Sequence, residues 1–220
     1  KATRFYWTPI FSSCSYNCVY CDAIGACTQS TKGPDDVTRS INKAEIAKYD
    51  GLLLPCNVMP LIDQTPEQLL DKQNTCFVIN TKYTSNDWDY AIQKLKNSQY
   101  KVIVIIDDFS PTLEFRLHQI DSTGVCCEYW VVLHKDLNIK RIVTSLTPAQ
   151  QEQVRFYPPM SDKDDALFLS TAELYRLGRE LNEISSHTLF IPPSFVELYQ
   201  PYINDDLELE PLPNVKKINS

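Results

Sequence analysis

Lys101–Ile106 (KVIVII) is an unbroken run of β-branched residues behind a single lysine. A strand that meets water on one face alternates apolar and polar residues. A continuous apolar run is what a strand covered on both faces requires, and such strands belong to parallel sheets flanked by helices. The residues that follow fit that setting. Asp107-Asp108-Phe109-Ser110-Pro111 turns the chain, Thr112–Thr123 sets Leu113, Leu117 and Ile120 at helical spacing, and Gly124 stops the helix. Strand, turn, helix and stop make one complete βα unit.

The same unit recurs along the chain. Thr3–Ile10 predicts a first strand, Leu52–Leu54 a second that is interrupted at Pro55 and continues toward Val58, and Thr75–Asn80 a third. Helices are expected over Asn42–Tyr49, ended by Gly51, and from the capping box Thr65-Pro66-Glu67-Gln68 to about Lys72. Another is expected over Asn86–Lys96, where Trp88, Ala91, Ile92 and Leu95 share a face. Beyond Gly124, Val125–His134 reads as a strand, Leu137–Leu146 as a helix and Val154–Tyr157 as a last strand. Ser170–Ile184 reads as a helix with Ser170 as its cap and Glu173 at N3. Six strands, each followed by a helical segment, predict an α/β domain over residues 1–185: a parallel sheet with right-handed crossovers, closed only in part as a (β/α)6 barrel. The full eight-unit form typically takes about 250 residues. Residues 186–220 predict a C-terminal extension: Leu189–Pro193, a helical turn over Ser194–Tyr199 and an acidic, proline-containing tail on the surface.

Charge excludes one class of partner. The chain carries 28 Asp and Glu against 21 Lys and Arg with no basic run, so the electrostatic footprint of a nucleic-acid binder is missing. No stretch approaches the roughly 18 consecutive apolar residues of a membrane span, and the N-terminus lacks the charged-then-apolar order of a signal peptide. A cytoplasmic location is expected. The numbering opens on Lys1 rather than Met, which leads us to expect a native segment ahead of it.

Eight cysteines divide into two sets. Cys56, Cys76, Cys126 and Cys127 sit within strand-like apolar runs, where a thiol behaves as a small buried hydrophobe. Cys126 and Cys127 are neighbours in a strand and face opposite sides, which argues against a joint metal role. Cys14, Cys18, Cys21 and Cys27 crowd into one segment just after the first strand. The spacing C-x3-C-x2-C lets three thiolates on one tight loop each reach a different iron of a 4Fe-4S cluster, with the fourth iron left open. Two other readings of these residues stay open: zinc with Cys27 as the fourth ligand, and disulfides. Zinc sites favour paired C-x2–4-C motifs or histidine partners, whereas His118, His134 and His187 are all distant in sequence.

With Tyr20 before the third cysteine, the motif C-x3-C-x-Φ-C at the end of a first strand resembles the signature of the radical SAM superfamily. The resemblance implies a partial barrel in which Cys14, Cys18 and Cys21 ligate the cluster and Tyr20 offers backbone contacts to the adenine of S-adenosylmethionine. After the second strand the family usually carries Gly-Gly-Glu-Pro, which grips the methionine amino group. Here Leu54-Pro55-Cys56-Asn57-Val58-Met59-Pro60 matches only the last proline, and none of the five glycines lies between Gly51 and Gly124. Either Asn57 and nearby backbone carbonyls replace the missing acid, or S-adenosylmethionine is bound weakly or not at all. By the same resemblance Thr81 falls where many members have a Thr-Asn pair, and Asp107, Asp108 and Ser110 fall where members hold the ribose hydroxyls or the methionine carboxylate. Asp107 and Asp108 also suit a plain capping role for the helix near Pro111. Arg155-Phe156-Tyr157-Pro158 and Leu169–Leu174 are similar in texture to peptide-modifying members, although no cysteine-rich extension follows.

The implied activity is reductive cleavage of S-adenosylmethionine to a 5′-deoxyadenosyl radical that abstracts hydrogen from a substrate, a peptide or a small molecule. The electron donor would be a reductant such as flavodoxin or ferredoxin, with no nucleic acid and no membrane involved. Two further readings remain: a cluster-bearing scaffold that no longer cleaves S-adenosylmethionine, and a disulfide-stabilised secreted binding protein.

Overall fold

The computed structural model describes residues 4–7, 51–55, 75–96, 101–107, 110–132, 136–157, 171–182, 188–191, 208–211 and 214–217. Among them are the strands β1 (Arg4–Trp7), β2 (Gly51–Pro55), β3 (Thr75–Asn80), β4 (Lys101–Ile106), β5 (Cys127–Val132), β6 (Val154–Tyr157), β7 (Thr188–Ile191), β8 (Glu208–Pro211) and β9 (Asn214–Lys217). They run in the order β8-β7-β6-β5-β4-β3-β2-β1-β9, and each neighbouring pair is parallel. The described helices are α1 (Ser85–Leu95), α2 (Leu113–Asp121), α3 (Ile139–Thr144), α4 (Pro148–Gln151) and α5 (Thr171–Asn182). The chain is an α/β protein built on a parallel sheet.

The β-branched run behaves as its composition requires. Val102–Ile106 are all buried, so both faces of β4 are covered. Register aligns Ile79, Val104, Tyr129 and Val154 on one face and Val78, Ile103 and Glu128 on the other. The first face carries helices: Gln150 of α4 donates to the Tyr129 hydroxyl at 2.9 Å and to the Leu117 carbonyl of α2 at 2.7 Å, tying strand and two helices through one buried amide. α1 begins at its cap Thr84, whose hydroxyl accepts the Asp87 N–H at 3.3 Å. Its buried residues are Trp88, Ala91, Ile92 and Leu95, the set that helical spacing selects. α2 likewise buries Leu113, Leu117 and Ile120, and Gly124 beyond it takes φ +72°, a left-handed stop that a side chain resists.

Several boundaries differ from expectation. β2 runs to Pro55, opposite Val78, so the proline's missing N–H falls at the strand's last residue instead of interrupting it. α4 was not anticipated, yet Thr147-Pro148-Ala149-Gln150 forms a full capping box, with the Gln150 N–H donating to the Thr147 hydroxyl at 3.2 Å and the Thr147 N–H to the Gln150 side chain at 2.9 Å. The largest difference lies after residue 185, where no strand beyond the sixth was expected and the acidic tail was read as surface. There, β7 and β8 extend the sheet past β6, and β9 extends it past β1. Glu-Leu-Glu-Pro and Asn-Val-Lys-Lys have little intrinsic strand preference. Their extended state comes from ladder bonds to a neighbour, which no local pattern displays. The expected helices over Asn42–Tyr49 and Thr65–Lys72, the turn over Ser194–Tyr199 and residues Asp108, His134 and Ser170 lie outside the described residues.

Candidate functional site at the strand ends

In parallel α/β folds ligands gather beyond the carboxyl ends of the strands. The tips of β3 and β4 meet there. Thr81, the first residue after β3, is completely buried, and its hydroxyl accepts the Asp107 N–H at 2.8 Å. The same hydroxyl faces the carbonyls of Ile105 at 3.4 Å and Asp107 at 3.5 Å, and its own N–H donates to Ile105 at 3.0 Å. Thr81 therefore fastens one strand tip to the next. Asp107, buried in turn, accepts the Ser110 N–H on its carbonyl at 3.3 Å, and the Ser110 hydroxyl pairs with the Thr112 hydroxyl at 3.1 Å. The structure thus brings Thr81, Asp107 and Ser110 together at two adjoining tips.

α2 takes Thr112 as its N-cap residue, so Asp107, five residues earlier, does not cap it. Tyr20 and Asn57 lie outside the described residues, as do Cys14, Cys18, Cys21 and Cys27. The fit of a cluster rests on the donor set: three soft thiolates in one short segment suit iron held with sulfide. Among the described residues no group of three or more His, Cys, Asp or Glu is arranged to hold a metal ion.

Arginines surround these tips. Arg116 of α2, itself buried, donates to the Thr81 carbonyl at 2.6 Å and to the Tyr83 carbonyl, and its guanidinium lies 5.2 Å from the ring centroid of Trp88. Two carbonyls and a π face offset part of the cost of taking that charge out of water. Arg141 of α3 donates to the Ser110 carbonyl at 2.8 Å, and its own N–H is held by the Asn138 cap at 2.9 Å. Sequence reading passed over both. Arg116 carried a signal, since it shares the buried stripe of Leu113, Leu117 and Ile120. A charged residue on such a stripe needs partners. Arg141 carried none.

The opposite ends of the strands hold a separate polar group. Glu128 takes the indole N–H of Trp130 at 3.1 Å, pairs with Lys101 across β4 and β5, and lies 4.0 Å from Arg155. Cys76 is buried as expected, but Cys127 is half-buried and Cys126 is exposed, which corrects the expectation of a packed thiol there: Cys126 precedes β5, which begins at Cys127. Burial pushes the Cys76 thiol up to about 11 and the Cys127 thiol to about 12. At both positions burial disfavours the thiolate. Tyr129 is raised as well, first by burial and then by the neighbouring Cys127.

Comparison with protein-family models, with characterised proteins and with solved structures gives no match.

Proposed function

We propose that this chain is an iron–sulfur enzyme of the radical SAM type, built as a barrel whose cysteine loop follows β1. The observation that carries the reading is C-x3-C-x2-C with Tyr20, only seven residues beyond the end of β1 in a sheet whose first eight strands pair in chain order. Sequential parallel strands with crossovers of one hand lay their helices on one face. The other face is buried too, at Val78, Ile103, Ile105 and Trp130, which supports a sheet curled around an interior.

The chain ends of the sheet support closure more directly. β8 pairs with β7 and β9 pairs with β1, at opposite ends of the strand order, yet only Leu212 and Pro213 separate them. Three Cα steps reach at most about 11 Å. In a flat sheet of nine strands the outer two would stand about 38 Å apart. The stretch from Glu208 to Lys217 therefore favours an eighth, split strand that joins both edges, a rounder barrel than the six-unit form expected from sequence.

In this reading Cys14, Cys18 and Cys21 hold the 4Fe-4S cluster, Tyr20 and Asn57 face the adenine and methionine ends of S-adenosylmethionine, and Thr81, Asp107 and Ser110 shape the tips of β3 and β4 beside it. A cluster held by these cysteines would supply the one electron needed to cleave S-adenosylmethionine to methionine and a 5′-deoxyadenosyl radical, which would take a hydrogen atom from a peptide or small-molecule substrate. The protein's part is to bind, orient and exclude water. A flavodoxin or ferredoxin would supply the electron in a cytoplasmic setting. The missing Gly-Gly-Glu-Pro favours a second reading, a scaffold that keeps the cluster without cleaving S-adenosylmethionine. Anaerobic reconstitution with iron and sulfide, then dithionite and S-adenosylmethionine, separates the two: 5′-deoxyadenosine is expected from the enzyme, and an intact cluster with no product supports the scaffold.

A further inference from the structure

Three arginines repeat one geometry around the strand ends. Arg116 of α2, the helix after β4, donates to Thr81 and Tyr83 in the turn after β3. Arg141 of α3, the helix after β5, donates to Ser110 in the turn after β4. Arg176 of α5, the helix after β6, donates to the Leu137 carbonyl at 3.1 Å in the turn after β5. Each reaches back by one βα unit. The offset is constant although the arginine is fourth in α2, third in α3 and sixth in α5. Arg176 is also braced on its own helix by Glu173 at 3.1 Å and Glu180 at 3.0 Å, so its head group is aimed before it meets the turn.

We infer that Arg116, Arg141 and Arg176 are positioning residues that lock three consecutive turns at the carboxyl ends of β3, β4 and β5, and that through these turns they set the affinity for S-adenosylmethionine. The second half rests on the function proposed above. A βα turn joins two rigid elements but has few backbone bonds of its own. A guanidinium, always charged and carrying several donors in a fixed fork, supplies external ones without titrating. Two of the turns so held, those after β3 and β4, carry Thr81, Asp107 and Ser110. Turns locked in advance spare the ligand the entropy of ordering them, so loosening one costs binding before it costs chemistry.

The test uses the full chain with Arg141→Gln, Arg141→Lys and Arg176→Gln, since buried Arg116 is the variant most exposed to misfolding. Amide hydrogen exchange reads the lock without any ligand. Arg141→Gln is expected to speed exchange in residues 107–112 and Arg176→Gln in residues 133–138, one unit back in each case, with α3 and α5 themselves little changed. Exchange that stays unchanged in those turns, or rises first within the arginine's own helix, overturns the lock. On reconstituted protein, calorimetry with S-adenosylmethionine is expected to give about a tenfold weaker dissociation constant for Arg141→Gln, with Arg141→Lys in between and kcat for 5′-deoxyadenosine release nearly unchanged. Turn exchange that rises while the dissociation constant stays at the wild-type value overturns the role in binding. Wild-type protein that fails to bind S-adenosylmethionine overturns the functional reading instead, and the exchange result then decides the lock alone.

Discussion

At the scale of single residues, the account turns on polar groups that are buried and satisfied. Thr81 is the clearest, because its hydroxyl meets the Asp107 N–H with no access to water. Thr81→Val removes the acceptor and keeps the shape, so it should cost about 1–3 kcal/mol in urea unfolding, with Thr81→Ser recovering most of it. Its position after β3 was visible in the sequence. What its hydroxyl does was not, because the partner lies 26 residues away. The thiols give a second prediction. Cys76 and Cys127 have folded-state values raised from 9.0 to about 11 and about 12, so the folded state holds its protons where the unfolded chain has lost them. Their contribution is full below pH 9 and is lost as pH climbs toward 11 and 12. Urea midpoints measured under reducing conditions should therefore fall steadily above pH 9, and Cys76→Ala should flatten that fall.

At the scale of elements, caps and stops decide where helices run, and most were legible because their chemistry is local. Gly124 is one. An added Cβ would meet nothing within 4 Å, so the cost of Gly124→Ala is backbone strain at φ +72° alone. It should be about 1–2 kcal/mol by thermal or urea unfolding, with Gly124→Asn milder. The missed helix α4 teaches the same rule from the other side. Thr147-Pro148-Ala149-Gln150 has the pattern that Thr65-Pro66-Glu67-Gln68 shows, but it lies in the short stretch between the helix expected over Leu137–Leu146 and the next strand, and a four-residue helix has no periodicity to find. Thr147→Ala should cost about 1 kcal/mol and loosen Gln150 from Tyr129, visible as a change in tyrosine fluorescence on folding. The last two strands, β8 and β9, were illegible for a deeper reason: short, charged and proline-flanked, they are extended because β7 and β1 offer them edges.

At the scale of the whole molecule, the sheet connects what the sequence separates into a domain and a tail. Removing residues 186–220 would strip β7 from β6 and β9 from β1 and leave two bare edges. The shortened chain should aggregate on size-exclusion chromatography; a soluble monomer would speak against a joined sheet. The tips of β3 and β4 gather Thr81, Asp107 and Ser110, and the three cysteines follow β1 in sequence, so the reading stands or falls on what those cysteines bind. The direct measurement is iron and acid-labile sulfide per chain after anaerobic reconstitution, on wild type and on the Cys14→Ala, Cys18→Ala, Cys21→Ala triple variant. The account predicts about four of each in wild type and almost none in the variant. An iron-free wild-type protein, or one whose iron survives loss of the three thiols, would contradict it.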